Sequence, residues 1–379
     1  MSGRTNYGRW LVKANDACEE VLAAKSVLIT GATGSLGRAL TRRLLSIRQG
    51  RPSRLILFSR DEVKQLHFRT ALEREFTGDL PELRFRIGDV RDSNAVQRAV
   101  NQADIVFHTA ALKQVPQCEY NPIEAVQTNV LGLINIVQAV LARGTGVEAV
   151  VAASTDKACY PANVMGMTKA LQERILTAAN LDAAGTRFMC ARYGNVMGSR
   201  GSVIEVLEGQ IRRGGPATLT DRRMTRFVVT LERAVDTLIA ACCYGRAGEI
   251  LIPRAPGVLI TTLAEVLIGG RDIDIAEIGV RPGEKIHEVL ITEEEMPRVT
   301  RRHGYYAIAP VLVELTRNRA ATPLLDSPFR SDHQLLAHSE LLDLLNRHRL
   351  LAAHAMAGAL GAETTHPDGA RLPPAWAQK

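Results

Sequence analysis

The chain has 379 residues and a mass of 41.3 kDa, and 46% of it is hydrophobic, which excludes a disordered protein and suffices for one large core with a smaller lobe. A net charge of +7 carried by scattered arginines, with only 4% aromatic residues, excludes a basic surface interleaved with aromatics for nucleic acid and fits an anionic small substrate. The six cysteines lack metal-ligand spacing, the N-terminus lacks a leader pattern, and no apolar run approaches the roughly 20 residues that span a bilayer. The expectation is a cytoplasmic protein with no metal, no membrane and no nucleic-acid partner.

In chain order, residues 1–24 form an N-terminal extension with an amphipathic pattern around Trp10, Leu11, Val21 and Leu22. Strands are predicted at 26–30, 55–59, 84–88, 104–109, 147–154 and 187–193. Between them, Leu36, Leu40, Leu44 and Ile47 mark one helix face, and Ala125, Val126, Val130, Ile134, Val137 and Val140 mark a longer one. This alternation predicts an α/β fold, a Rossmann-type doubly wound parallel sheet buried on both faces, over 25–195. A helix at 231–244 and a strand at 249–252 predict a return to that domain over 228–253. The glycine-punctuated segments 196–227 and 254–345 read as a smaller, discontinuous substrate-binding lobe, and 346–379 as a partly disordered C-terminal tail.

Gly31-Ala32-Thr33-Gly34-Ser35-Leu36-Gly37 follows a predicted strand and opens a predicted helix, where backbone N–H groups can approach a pyrophosphate. At the end of the second strand stand Ser59, Arg60 and Lys64; Arg60 points to a 2′-phosphate and so to NADP, the alternative being Asp61 on the ribose of NAD. Asp89 and Val90 follow the third strand, where an acid can hold the adenine amino group. Ala110, Ala111 and Lys113 follow the fourth; the alanines leave room for a cofactor, and Lys113 faces phosphate, substrate or solvent. Ser154-Thr155-Asp156-Lys157 closes the fifth strand, eight residues before Met165-Gly166-Met167-Thr168-Lys169. A carboxyl and an amine at a sheet edge are candidates for acid and base, the alternative being a quiet ion pair.

With these motifs, Arg192-Tyr193-Gly194-Asn195, Met224-Thr225-Arg226-Phe227 and Arg281-Pro282-Gly283-Glu284-Lys285, the chain resembles the extended short-chain dehydrogenase/reductase superfamily. More narrowly it resembles the soluble UDP-N-acetylglucosamine 4,6-dehydratases over about residues 26–345. The family's usual Tyr-x-x-x-Lys pair has Met165 in place of the tyrosine, a residue that packs and cannot accept a proton; methionine also stands there in membrane-anchored relatives.

The resemblance implies a redox-neutral cycle on a UDP-N-acetylhexosamine: hydride from C4 to NADP, loss of water across C5–C6, then hydride to C6. It gives Lys157 the C5 proton, which requires its pKa to fall, and Asp156 the departing 6-hydroxyl, which requires its pKa to rise. Lys169 takes the place of the lysine that bonds the nicotinamide ribose, and Thr155 is a hydrogen-bonding partner for the 4-oxygen. Without a phenol, the 4-hydroxyl proton passes to Lys157, Asp156 or water. Asn195, Arg226, Arg281 and Lys113 are expected on the nucleotide-sugar, with Glu284 orienting Arg281 or binding the uridine ribose; for either arginine a surface ion pair is the alternative. A homo-oligomer is implied by resemblance alone. The competing functions are a dehydratase that stops at the 5,6-alkene, a UDP-sugar 4-epimerase, and a silent NADP-binding sensor or scaffold.

Overall fold

Aliphatic and β-branched runs become strands here because helices cover both faces of the sheet they build. The computed structural model describes residues 17–316 and 324–351. Its first strands are β1 (Ser26–Thr30), β2 (Arg54–Ser59), β3 (Glu82–Ile87), β4 (Ile105–His108), β5 (Ala149–Thr155) and β6 (Arg187–Tyr193). The later ones are β7 (Asn195–Val196), β8 (Ala217–Leu219), β9 (Thr225–Val229), β10 (Ile250–Pro253), β11 (Gly257–Leu259), β12 (Ile275–Glu277), β13 (Val289–Ile291), β14 (Val299–Arg302), β15 (Tyr305–Ile308) and β16 (Phe329–Arg330). Nine of them make one sheet in the order β14-β15-β10-β6-β5-β4-β1-β2-β3. All pairings from β10 to β3 are parallel, and the order reverses between β1 and β4, where a crevice opens at the carboxyl ends.

The helices of this domain are α1 (Ala17–Leu22), α2 (Ser35–Leu45), α3 (Glu62–Glu75), α4 (Ser93–Val100), α5 (Val115–Tyr120), α6 (Pro122–Ala125), α7 (Gly132–Arg143) and α8 (Val164–Ala179). The smaller lobe adds α9 (Val203–Arg212), and α10 (Leu231–Tyr244) returns to the sheet, as the sequence predicts. Leu40 and Leu44 of α2 and Leu238 of α10 pack with Val27, Ile29 and Val151 on one face. Val96 of α4, Ile136 of α7 and Leu176 of α8 pack with Leu28, Val106 and Val150 on the other. In the lobe, α11 (Ile260–Ile268) and α12 (His338–Arg347) enclose a separate core with Leu207, Leu263, Leu341 and Leu344. Trp10, Leu11 and residues 352–379 of the expected tail lie outside the described residues.

Five expectations change. Strand β3 is an edge, not a doubly buried strand, and its Glu82, Arg84 and Arg86 present charge where another chain could otherwise pair. Strands β14 and β15, expected in the lobe, extend the large sheet antiparallel to β10, so residues 299–308 belong to the first domain. Helix α12 crosses the expected tail boundary and packs on α11. The predicted helix face at 125–140 is broken by a π-helical turn, Val126–Leu131, which rotates the helix beyond it. Val126 is thereby exposed, while Leu133 and Ile136 take the buried stripe beside Val137 and Val140. The continuous helical run Pro122–Gly146 is also long and apolar enough to cross a membrane, contrary to the reading from sequence; 56% of its most apolar window is buried in the fold.

Candidate active site

The dinucleotide crevice begins where β1 ends. Gly31 turns the chain at φ +68°, and a Cβ there would sit 2.8 Å from the Cα of Ala110. Helix α2 starts from Gly34 with no side-chain cap, so its first N–H groups are free for an anion. Gly37 lies so close to Ala32 that α2 is drawn against the strand. This floor and uncapped helix start fit a dinucleotide pyrophosphate. Gly31→Ala is expected to abolish retention of bound dinucleotide through a clash and a strained backbone costing about 1–2 kcal/mol; absorbance of the purified protein checks it.

Arg200, from the loop after β7, donates through Nη2 to the Thr33 carbonyl at 2.8 Å, and its backbone N–H donates to Ser35 Oγ at 3.3 Å. Lys113 Nζ is 3.3 Å from Ser199 Oγ of the same loop. Leu36 is half-buried, and Ala110 and Ala111 line the crevice opposite Gly31 without filling it.

At the adenosine end, two of the expected residues also have partners within the fold. Ser59 is buried, and Gln65 Nε2 donates to both its Oγ and its carbonyl at 2.9 Å, so Ser59 fixes the turn into α3. The Asp89 carboxylate accepts from Arg91, whose Nη2 lies 2.8 Å away, and faces Arg60 at 3.6 Å, so an adenine amino group would share it with these cations. Val90 is buried, and its carbonyl accepts from Asn135. Lys64 pairs with Asp61 at 2.6 Å. Arg60 and Lys64 remain exposed at the crevice rim.

Strand β5 ends in a tight turn that carries Asp156 and Lys157. Asp156 is fully buried; its Oδ1 accepts from Thr155 Oγ1 at 2.9 Å and from Lys157 Nζ at 3.0 Å, while Oδ2 has no hydrogen-bond partner among the described residues. Burial pushes the Asp156 carboxyl up and outweighs the ammonium beside it. Lys157 behaves opposite to the lowered pKa that a C5 base requires. Burial opposes its charge, but the carboxylates of Asp156 and Glu288 overcome that and hold its pKa above the ordinary lysine value. Asn195 Oδ1 is a third acceptor at 3.3 Å.

Helix α8 is placed by Asn163, which caps the Gly166 N–H and donates to the Gly283 carbonyl at 2.8 Å, tying this helix to the lobe. A Cβ at Gly166 would lie 2.3 Å from the Lys157 carbonyl, so only glycine allows α8 this close to the turn 156–158. Lys169 donates to the Ala153 carbonyl at 3.0 Å and to Gln172 Oε1 at 2.9 Å, with one N–H left over; burial pulls its pKa down to about 8. Met165, one turn earlier, is buried with Cys118 and Ala125 and packs rather than reacts.

The expected nucleotide-sugar residues divide. Asn195 reaches Lys157. Arg226 is buried, its Nη1 donating to the carbonyls of Thr225 and Ile286, and its Nε lies 4.0 Å from Glu288, so it stands behind the site rather than reaching out as a free diphosphate clamp. Arg281 is exposed. Glu284 joins Arg281 through a backbone bond, and among the described residues no side-chain ion pair links them. Reading the sequence missed Glu288, 3.1 Å from Lys157 Nζ, and the role of Lys285, 3.4 Å from Glu288 and bonded to the Cys159 carbonyl. Their signal was the spacing Lys285-Ile286-His287-Glu288 directly after the Pro-Gly turn.

Residues 27–310 match the polysaccharide biosynthesis protein family. A UDP-glucose 4-epimerase of Rickettsia akari is 44% identical over 289 residues, 75% of this chain and 82% of that protein. The inverting UDP-N-acetylglucosamine 4,6-dehydratase of Campylobacter jejuni is 40% identical over 289 residues, 76% of this chain and 83% of that one. The crystal structure of Pen from Bacillus thuringiensis superposes with a TM-score of 0.78 at 35% identity, covering 86% of this chain and 98% of that one. The dTDP-glucose 4,6-dehydratase DesIV of Streptomyces venezuelae, solved with NAD, shares the fold at a TM-score of 0.60 and 21% identity, over 69% of this chain and 86% of that one. The chain therefore belongs to the polysaccharide biosynthesis protein family of extended short-chain dehydrogenases/reductases and is an enzyme of the nucleotide-sugar-modifying kind.

Proposed function

We propose that the enzyme dehydrates UDP-N-acetylglucosamine across C5–C6 to a UDP-4-keto-6-deoxy-N-acetylhexosamine, with NADP as its recycled cofactor. The observation that carries this reading is Asp156, buried and pushed toward its protonated form, in contact with Lys157 at the carboxyl end of β5. The nicotinamide, when bound, supplies a hydride acceptor for C4 and a donor for C6. The protein's own part is the proton traffic between these events. Moving the proton from Lys157 Nζ to Asp156 Oδ1 across their 3.0 Å contact turns the ion pair into a neutral amine and a neutral acid with no net uptake. The amine then takes the C5 proton, and the acid gives its proton to the departing 6-hydroxyl, which leaves as water. The ammonium of Lys157 returns a proton to C5 at the end, and the pair regains its one shared proton from the solvent, which has taken up the proton released by the oxidised 4-hydroxyl.

Incubating the protein with UDP-N-acetylglucosamine and NADP and following the nucleotide-sugar by mass spectrometry tests this: loss of one water is expected. An unchanged mass with an inverted C4 would instead establish the 4-epimerase reading, which the Rickettsia relative favours. An epimerase has no use for a buried acid that expels water.

NADP is preferred because Arg60 and Lys64 stand together at the crevice rim. Arg60→Ala is expected to weaken NADP about tenfold to a hundredfold, the worth of a charged hydrogen bond, and to leave NAD unchanged; titration of both dinucleotides decides it. Self-association is supported by the exposed apolar side chains Tyr120, Ile123 and Val126 beside Met167 and Leu171 of α8. A reducing cytoplasm suits the six free cysteines, five of them buried.

A further inference from the structure

Five charged side chains meet where the lobe closes on the catalytic turn, and the proton traffic of the proposed reaction uses two of them. Glu288 is 3% exposed, its backbone locked to Ser331 by Glu288 N–H donating to Ser331 Oγ at 2.9 Å and the Ser331 N–H donating to the Glu288 carbonyl at 2.9 Å. Its Oε1 faces Lys157 Nζ at 3.1 Å and Arg226 Nε at 4.0 Å, and its Oε2 faces Lys285 Nζ at 3.4 Å. Two cations therefore hold the carboxylate from the lobe side, and it holds Lys157 from the side opposite Asp156. A buried carboxylate costs several kcal/mol in desolvation unless it is so surrounded. The strand after it, β13, packs on the turn 156–158, so Glu288 is carried on a rigid element rather than on a loop tip.

We propose that Glu288 is the positioning residue of the acid–base pair: from the substrate lobe it aims the Lys157 amine at Asp156 and sets the proton count that the two residues share. This rests on the dehydration reading of the same site. Lys157 has four rotatable side-chain bonds and would sample other directions without a second anchor. Its charged surroundings are Asp156 on its own turn, Glu288 and Lys285 on the lobe segment and Arg226 on β9, with the neutral Cys159 thiol, which burial pushes up, beyond the turn. The anion of Glu288 stabilises every proton bound by the pair. The cations Arg226 and Lys285 have the opposite effect, Lys285 acting across the Glu288 carboxylate and so from further away.

These charges fix the sign of the pH dependence. The working pair holds one proton between its two groups, so activity is bell-shaped in pH, with an acid limb where a second proton is gained and an alkaline limb where the last is lost. Removing the negative charge in Glu288→Gln lowers proton affinity for both steps. Both limbs should move to lower pH, by about 1–3 units for a charge at this range. Lys285→Met removes a positive charge and should move both limbs the other way, by less. Opposite displacements from two neighbouring substitutions are not produced by loosened folding.

The experiment measures kcat against pH for the wild type and both variants, with deuterium exchange at C5 from heavy water as a direct reading of the proton step and dinucleotide retention as the check on folding. The expected result is displaced limbs of opposite sign, with C5 exchange slowed in Glu288→Gln at the wild-type optimum. Limbs that stay in place in variants that retain dinucleotide would overturn the role of Glu288. If Glu288→Gln loses its dinucleotide, Lys285→Met alone decides: an upward displacement supports the role, and unchanged limbs overturn it. A wild type that yields no dehydrated product fails the functional reading itself, an outcome distinct from these.

Discussion

Asp156→Asn is expected to lose dehydration by about 10²–10⁴-fold, the range for removing a positioned general acid, while dinucleotide retention and the folded state persist. Asparagine has the same shape and can still accept from Thr155 and Lys157 through Oδ1, so the turn 156–158 should hold. What it cannot do is release a proton to a departing hydroxyl. If the 4-ketone step is separate, this variant should still reduce bound NADP when substrate is added, giving the absorbance of the reduced nicotinamide without loss of water from the sugar. A variant as active as the wild type would remove Asp156 from the chemistry and transfer the acid role to water or Lys157. Burial holds the Asp156 carboxyl above the usual aspartate range, which favours the proton it is asked to donate.

The second large effect is on stability. Arg192, at the buried end of β6, donates to both oxygens of Glu173 on α8, at 2.8 and 2.6 Å, and to both oxygens of Glu295 beyond β13, at 2.9 and 2.8 Å. It also donates to the Leu290 carbonyl and the Cys159 sulfur. The guanidinium is 2% exposed and the carboxylates little more. Arg192→Leu leaves two carboxylates buried without their cation, so the loss should be about 3–5 kcal/mol, read as a fall in the urea midpoint. A triple variant that also carries Glu173→Gln and Glu295→Gln should recover much of it, because the uncompensated charge is then gone. Equal stability of the single and triple variants would mean that packing, not charge, holds this junction.

The parallel sheet was legible because each strand is a short apolar run, and 26–30, 187–193 and the helix at 231–244 fall where the pattern puts them. Edge position was not legible. The strand at β3 alternates charge and apolar residues like a half-buried strand, and only the pairing shows that nothing lies beyond it. The π-helical turn escaped because the apolar stripe at 125–140 satisfies helical spacing on either side of it. At the site, motif position located Asp156, Lys157 and Lys169, yet whether a charged group faces outward is a tertiary property. Arg226 and Asp89 therefore looked available and are engaged, while Glu288, remote in sequence and outside the recognised Pro-Gly motif, completes the cluster.

The way the chain crosses between lobes has a consequence for synthesis. Lys157 meets Asn195 across 38 residues, and the carbonyl of Cys159 meets Lys285 across 126. Contacts of such separation close late, after the local helices and the first strands have formed. A growing or truncated polypeptide can already possess the glycine turn that greets a dinucleotide, since that needs only β1, α2 and the neighbouring β4, but its lysine has no partner from the far segment. The pair at 156–157 therefore gains its lobe-side carboxylate and lysine only after Lys285 and Glu288 have been made and have docked on the turn 156–158.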